Sequence, residues 1–385
     1  MSRNDAWDAW DAWDAWGGRA GGGRGASGGM MAEALTRSRE GHLGRYRPSA
    51  LRPGEDRPNW APVPIRSWDC AAGELPPRST QWMARMSPFA RAQVCGADLL
   101  SNLEFMETGP HTIVVKHRSP SRNIATIVRP ARAYTFQQQA LRVESWAALR
   151  SERTPEILSQ IGPQFDFWSS VANLNPAYAP FSRELVAVAL ALASSVVQRV
   201  KLSLVVPRPA DFSPRVQPMF DAPGFYAYPS GHATQAFMVA RLLKVLTRPD
   251  GSDQGTTHDE LSLQLARQAE RIATNRVVAG IHYPIDSAAG CALGMALADY
   301  FIHRCDGSDW CERTFNGDAY PESEDFDPRP ATENFTSSQG LTVAATPHRI
   351  GTSHPYEPHA RRAQATPLGW LWCQAMKEWR EPGMV

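Results

Sequence analysis

Three short segments of the sequence contain residues that could bind and cleave an ester of an oxyanion. The first segment is Lys201, followed after six residues by Arg208 between Pro207 and Pro209. A guanidinium on a backbone restricted by prolines makes a good fork for phosphate, and an ammonium adds a point charge. Taken alone, this segment is better explained as a helix end whose basic residues complement the helix dipole.

The second segment is Pro229-Ser230-Gly231-His232, which comes directly before a predicted helix. N–H groups at a helix N-terminus attract anions, and a glycine lets a ligand approach the backbone closely. Ser230 could donate a hydroxyl hydrogen, and His232 could deliver or remove a proton. The alternative is a serine-capped helix with a surface histidine, but this string favours the functional interpretation.

The third segment places Arg276 before His282 and Asp286, with the aspartate four residues after the histidine. A hydrogen bond from one ring nitrogen to the carboxylate could orient the imidazole and make its other nitrogen a better nucleophile. Taken alone, the same spacing favours a loop histidine paired with an aspartate that caps a helix.

The three segments occur in order, each at the boundary of a predicted apolar helix. Together they supply three cations, a helix N-terminus and two histidines, which make a complete oxyanion site. They resemble the three signature blocks of the type-2 phosphatidic acid phosphatase and vanadium haloperoxidase superfamily. One position departs from that pattern, because Asn275 stands where the family usually has a serine. We therefore assign Asn275 no catalytic role.

The resemblance implies a phosphoester hydrolase that needs no metal or other cofactor. His282 would attack phosphorus and form a phosphohistidine, and Asp286 would orient it. His232 would protonate the leaving alkoxide and then activate water. The resemblance assigns oxyanion binding to Lys201, Arg208, Ser230, Gly231 and Arg276.

Two alternatives stay open. With vanadate as cofactor, the same pocket would be a haloperoxidase, with His282 as the ligand of the vanadium and with halide and peroxide as substrates. Phe225, Tyr226 and Tyr228 beside the second segment favour this alternative, although such aromatics more often belong to the core. The second alternative is a non-catalytic interaction protein that retains an anion pocket. The presence of every cation and both histidines speaks against it.

Apolar helices must position these segments. The hydrophobic pattern predicts helices over 131–150, 154–161, Phe181–Leu204, Gly231–Leu246, Thr257–Thr274 and Ile285–Cys305. Thr154 and Pro155 suit a cap and a first turn, and Thr257-x-x-Glu260 is a capping box. Strand-like runs are few, and the best are Thr112–Lys116 and Thr126–Val128. The sequence therefore predicts an all-α helical bundle of the acid phosphatase and haloperoxidase type.

Composition divides the chain into four regions. Residues 1–31, with a repeated Asp-Ala-Trp and a glycine-rich tract, predict a disordered tail. Residues 32–78 form an irregular lead-in rich in proline and arginine, and 79–305 form the helical catalytic domain. Residues 306–385 are a C-terminal extension, which we expect to be largely irregular with a short tryptophan-rich helix.

Charge and hydropathy limit the classes of binding partner and the cellular location that the sequence predicts. The chain has 40 basic and 39 acidic residues, which argues against a nucleic-acid partner. The first residues do not predict a signal peptide, and the longest apolar run, Leu185–Val197, is shorter than the ~18–20 residues of a membrane span. We therefore expect a soluble, cytoplasmic protein that acts on a small molecule. Homo-oligomerisation is left open.

Overall fold

The computed structural model describes residues 79–162, 164–247, 256–329, 337–344 and 366–380, with only the backbone for 256–259 and 337–338. The predicted tail 1–31 and the whole lead-in 32–78 lie outside these residues. The helices are α1 (Pro88–Ser101), α2 (Ala133–Trp146), α3 (Arg150–Ser159), α4 (Phe165–Ala172), α5 (Pro180–Leu204), α6 (Pro209–Phe212), α7 (Gly231–Leu246), α8 (Thr256–Val278), α9 (Pro284–Asp306) and α10 (Pro367–Arg380). The strands are β1 (Leu103–Gly109), β2 (Thr112–His117), β3 (Arg122–Val128), β4 (Arg313–Asn316), β5 (Ser337–Ser338) and β6 (Leu341–Val343).

Helix α9 is buried over nearly its whole length and packs most extensively on α7. Two glycines of α9 permit this approach: a Cβ at Gly290 would lie 2.6 Å from the carbonyl oxygen of Ser230, and one at Gly294 would collide with the backbone of α7. The backbone N–H of Ser230 also donates to the carbonyl of Asp286 at 2.9 Å. The start of α9 therefore fixes the N-terminus of α7, where the sequence predicts an anion site.

Three of the four helices that flank the predicted site segments, α5, α7 and α9, begin and end within one residue of their predicted bounds. The fourth, α8, ends at Val278, four residues after its predicted end at Thr274. Ser230 caps α7, because its hydroxyl oxygen accepts the N–H of Ala233. Helices α5 and α9 begin with Pro180 and Pro284, in the first-turn position where the missing N–H of proline costs no hydrogen bond. Long apolar runs with clear starting residues explain why these bounds could be predicted.

The predicted helix start at Thr154 is wrong. Helix α3 begins at Arg150, after a 3-10 turn over Ala147–Leu149, and continues through Pro155. The hydroxyl of Thr154 donates to the carbonyl of Arg150 instead of capping a new helix. Proline removes only one backbone donor here, in a helix that has already begun, so the helix continues through it.

The all-α prediction is correct for the bundle and wrong for the chain as a whole. The described residues include a six-stranded mixed sheet in the order β1-β2-β3-β4-β6-β5. Strands β2 and β3 contain the two predicted strand-like runs, and β3 pairs in parallel with β4, with Ala125 opposite Arg313. The last three strands have only two to four residues, too few for a visible alternation of polar and apolar residues.

The region after residue 306 contributes both to the sheet and to the helical bundle. Its strands complete the sheet, and α10, which contains Trp370, Trp372 and Trp379, packs on α5. The carboxylate of Glu378 accepts the backbone N–H groups of Phe181 and Ser182 at 2.7 and 2.9 Å. A carboxylate from α10 thus pairs the free N–H groups at the start of α5.

Among the residues that the structure describes, two helical stretches are long and apolar enough to cross a membrane by length and composition, contrary to the sequence-based expectation. They are Pro180–Phe212, 67% buried inside the protein over its most apolar window, and Pro284–Asp306, 94% buried over its window. Burial of this extent is what a core helix of a bundle shows. A soluble, cytoplasmic protein stays a prediction.

Candidate active site

The three sequence segments meet at one cavity of about 110 Å³. Five of the eight predicted site residues line it: Arg208, Gly231, His232, Arg276 and His282. The other three, Lys201, Ser230 and Asp286, are at most 1% exposed and bond to the elements that form the cavity wall. The fold therefore brings all eight residues together: five line the cavity, and three are buried behind its wall.

His282 lies between a carboxylate and a guanidinium. Its Nδ1 is 2.8 Å from Oδ2 of Asp286, and its Nε2 is 3.0 Å from Nη1 of Arg208. Burial, followed by the charges of Arg208 and Lys201, holds the pKa of His282 well below its usual value. The ring is therefore neutral, with Nδ1–H donating to Asp286 and the lone pair of Nε2 on the cavity side.

Asp286 is the third residue of α9, and its Oδ2 also accepts the backbone N–H of Tyr283 at 3.0 Å. Its Oδ1 has no hydrogen-bond partner among the described residues. Burial raises the pKa of Asp286 to about 7, while the Tyr283 N–H and the nearby Lys201 and Arg208 act in the opposite direction. The carboxylate is held in one position by the same helix start that anchors Ser230.

Arg208 is clamped by backbone carbonyls on both sides of the cavity. Its Nε donates to Phe225 at 3.0 Å, and its Nη1 donates to Ile281 at 2.7 Å. Its Nη2 is buried with no partner among the described residues. Burial lowers the pKa of Arg208 to about 10, so the group stays charged at neutral pH. A fixed, charged fork with an unused N–H group is suited to an anion.

Arg276, in the last turn of α8, is fully buried and has more unused donors than Arg208. Its Nη2 donates to the carbonyl of Ile157 at 3.0 Å and to Oε1 of Gln160 at 2.9 Å. Its Nε and Nη1 have no partner in the described part of the chain. A buried donor left unpaired costs about 1–3 kcal/mol, so an anion in this cavity would satisfy groups that the fold leaves open.

Lys201 and Ser230 act on the backbone behind the cavity. The ammonium of Lys201 donates to the carbonyls of Tyr226 and Ala227, both at 2.7 Å, and so fixes the loop that leads into α7. Burial and the charge of Arg208 hold the pKa of Lys201 well below its usual value. The hydroxyl oxygen of Ser230 accepts the N–H of Ala233 at 3.4 Å, and an accepting hydroxyl can still donate its hydrogen to an anion.

His232 occupies the first turn of α7 and lines the cavity. Its Nε2 lies 3.1 Å from the backbone carbonyl of Gln160, and because a carbonyl only accepts, this nitrogen carries the hydrogen. Burial, followed by the charge of Arg276, lowers the pKa of His232 to about 3. The histidine is therefore neutral until an anion offsets the surrounding cations.

The aromatic residues near the second segment divide into two groups. Phe225 lines the cavity, and its ring centre lies 5.1 Å from Cζ of Arg208 and 5.2 Å from Nζ of Lys201. Tyr228 is buried, and its hydroxyl donates to the carbonyl of Val128, at the end of β3. Phe225 is thus part of the site, whereas Tyr228 joins the loop to the sheet.

The remaining walls of the cavity are apolar or carry neutral amides and the hydroxyl of Ser194. Leu190, Val197 and Phe220 are among the apolar residues. Gln235 is among the amides, and its Nε2 donates to Oγ of Ser194 at 2.7 Å. In the described part of the chain, no three histidine, cysteine, aspartate or glutamate side chains are placed to hold a metal ion.

A comparison with family models gives one match, which covers residues 185–307 and is described as the PAP2 superfamily. The matched range contains all eight predicted site residues. Residues 185–307 are thus similar to the PAP2 superfamily. No curated protein matches the chain.

Gln160, which the sequence did not reveal, lies outside the PAP2 segment and completes the site from α3. Its side chain is fully buried, and Oε1 accepts from Nδ2 of Asn275 at 3.1 Å as well as from Arg276. Oδ1 of Asn275 in turn accepts from Nη1 of Arg153 at 3.2 Å. Asn275 does not line the cavity. The amide that replaces the serine usual in the PAP2 pattern therefore bridges two residues that support the site.

Proposed function

We propose that this chain is a phosphoester hydrolase that acts on a small molecule through a phosphohistidine at His282. Similarity to the PAP2 superfamily indicates phosphoesterase activity in general. One observation carries the finer proposal: the neutral ring of His282 is oriented by Asp286 and presents Nε2 to a cavity whose two guanidiniums have unused N–H groups.

The phosphoryl group would bind to donors that the fold leaves unpaired. Nη2 of Arg208, and Nε and Nη1 of Arg276, are buried without partners among the described residues. The first N–H groups of α7, beginning at Gly231, add the positive end of a helix. Donors fixed in this way stabilise the charge that develops in the transition state, each by about 3 kcal/mol.

In the first step, Nε2 of His282 attacks phosphorus, and the bond from phosphorus to the alcohol oxygen breaks. The phosphoryl group takes the place of the Arg208 N–H at Nε2, and that N–H then donates to a phosphoryl oxygen. His232 gives its proton to the departing alkoxide. Because burial and the neighbouring cations lower the pKa of His232, the negative charge of the substrate is what allows the histidine to be protonated.

In the second step, neutral His232 accepts a proton from a water molecule, and the water oxygen attacks phosphorus. The bond between phosphorus and Nε2 of His282 breaks, which leaves His282 neutral and His232 protonated. Inorganic phosphate then leaves, and His232 releases its proton to solvent, so both histidines are neutral again. Asp286 accepts the Nδ1–H of His282 throughout, so its charge offsets the positive charge of the phosphorylated ring.

The test is hydrolysis of p-nitrophenyl phosphate without added divalent metal, with vanadate as an inhibitor. His282→Ala should abolish turnover and the protein-bound label transferred from a 32P-labelled substrate, trapped by denaturation in alkaline detergent because the bond between phosphorus and histidine breaks in acid. His111→Ala, in the turn between β1 and β2, is the matched control and should retain both. Undiminished turnover in His282→Ala would overturn the assignment of the nucleophile.

A second candidate function is vanadate-dependent oxidation of halide by peroxide, which the aromatic wall at Phe225 favours. The same donors fit vanadate, with Nε2 of His282 as its ligand and Arg208 and Arg276 on its oxygens. Bound vanadate would supply activation of the peroxide. Halogenation of monochlorodimedone by the vanadate-loaded protein, with no phosphatase activity in the free protein, would favour the haloperoxidase function over the hydrolase function. Phosphate binding without either activity would support a non-catalytic anion-binding protein.

A further inference from the structure

A second cavity, of about 310 Å³, lies against another face of α8 and shares no lining residue with the active-site cavity. Arg267, Glu270, Arg271 and Thr274 line it from successive turns of α8. Arg276 of the same helix lines the active-site cavity instead. One helix thus separates two cavities, and the proposed reaction uses only the smaller one.

The charges around the second cavity are not balanced. Three guanidiniums line it, of Arg153, Arg267 and Arg271, against the single carboxyl group of Glu270. Arg271 is neutralised by Glu156 at 2.8 Å. Within the described residues, no carboxylate oxygen lies within 4.0 Å of a guanidinium nitrogen of the other two arginines, and Nε of Arg153 is buried without a partner. Two guanidiniums therefore remain available to an anion.

The walls also offer two aromatic rings that are held in place. Nε1 of Trp146 donates to Oδ1 of Asp325 at 2.8 Å. Phe326 packs edge-on against Phe237, with ring centres 5.7 Å apart. Fixed aromatic rings bind flat apolar groups, and guanidiniums bind carboxylate and phosphate oxygens. We infer that this cavity binds a small organic anion whose charged group is attached to a planar ring.

The second cavity is connected to the active site by three hydrogen bonds. Arg153 donates to Asn275, Asn275 donates to Gln160, and Gln160 accepts from Arg276. An anion that draws Arg153 toward the cavity acts on the same set of bonds that holds Arg276. We therefore expect occupancy to change the rate of hydrolysis. This consequence rests on the proposed function, whereas the binding itself does not.

The test uses 4-fluorobenzoate as the probe and follows its 19F signal, with vanadate present to fill the active site. The expected result is saturable binding that vanadate does not displace. Arg267→Gln, at an exposed residue of α8, and Arg153→Gln should each weaken binding about 10-fold, the value of one charge-assisted hydrogen bond. The matched control is Arg199→Gln, at an exposed arginine of α5, and should bind as the wild type does.

Competition with vanadate, the absence of saturable binding, or unchanged affinity in both variants would overturn the inference. Binding of 4-fluorobenzoate with no effect on the hydrolysis rate would support the binding site but contradict its connection to Arg276. Binding by an inactive His282→Ala protein would support the site even if the proposed hydrolase activity failed.

Discussion

The side-chain oxygen of Gln160 lies 2.9 Å from Nη2 of Arg276 and joins the end of α3 to the last turn of α8. The backbone oxygen of the same residue lies 3.1 Å from Nε2 of His232. One buried residue therefore contacts both a cation and a histidine of the cavity. Because a guanidinium must be held in one orientation to act as a fork, Gln160 is a positioning residue for Arg276.

Gln160→Met should lower kcat/KM by about 10-fold to 100-fold, because it keeps the shape of the side chain but removes the acceptor that orients Arg276. The affinity for vanadate should fall with it. The backbone contact to His232 is unaffected by this change. Steady-state kinetics and vanadate inhibition measure the effects.

Gln139→Met is the matched control for the loss of a buried amide. Gln139 is also fully buried, and it bonds to the backbone of Ile285 and Glu322. Both variants should lower the melting temperature, but only Gln160→Met should weaken vanadate binding. Equal effects of the two variants on vanadate affinity would contradict a positioning role.

Asn275→Ser, which restores the residue usual in the PAP2 pattern, should lower activity and stability. A serine hydroxyl is too short to bridge Gln160 and Arg153, so at least one of these groups loses its partner. The expected destabilisation is about 1–2 kcal/mol, measured by urea unfolding. Asn275→Ala, which removes both bonds, should be at least as destabilised. An increase in activity of the serine variant would mean that position 275 reaches the oxyanion.

The sequence was informative about the cavity because each chemical segment lies at the end of a long apolar helix. Ser230 and Pro284 mark where α7 and α9 begin, so the positions of His232 and Asp286 relative to those helix starts could be predicted. The spacing of His282 and Asp286 already indicated a hydrogen bond, which the structure places at 2.8 Å. These are local relationships, set within a few residues of the chain.

Long-range relationships could not be predicted in this way. Gln160 reaches Arg276 across 116 residues, and nothing in its neighbourhood distinguishes it from an ordinary helix-end glutamine. The parallel pairing of β3 with β4 joins residues that are even further apart along the chain, such as Ala125 and Arg313, and β4 has only four residues. Such contacts depend on how the helices pack, which a periodic pattern does not encode.

Asp286→Asn and Asp286→Ala should distinguish two effects of Asp286 on His282, namely its negative charge and the hydrogen bond that orients the ring. Both hydrogen bonds of Asp286 end on the same oxygen, Oδ2, so an asparagine carbonyl in that place can accept from His282 and from Tyr283. The asparagine variant should therefore lose only the charge and lower kcat by about 10-fold to 100-fold. The alanine variant also loses the orientation and should lower kcat by about 10³-fold to 10⁴-fold. Rapid-quench measurement of the phosphoenzyme gives the rate of the first step, and equal losses in both variants would contradict this separation.

Anion binding should be accompanied by proton uptake at His232. In the free protein, burial and the neighbouring Arg276 lower the pKa of His232 to about 3, so the ring is neutral at pH 6. A bound dianion offsets those cations and raises the pKa, so a proton enters with the anion. Sulfate is a suitable probe because it stays a dianion at this pH. Calorimetric titration at pH 6 in two buffers of different ionisation enthalpy should show net uptake, and His232→Gln should reduce it. The control variant His111→Gln should match the wild type, and equal uptake in His232→Gln would assign the proton to another group.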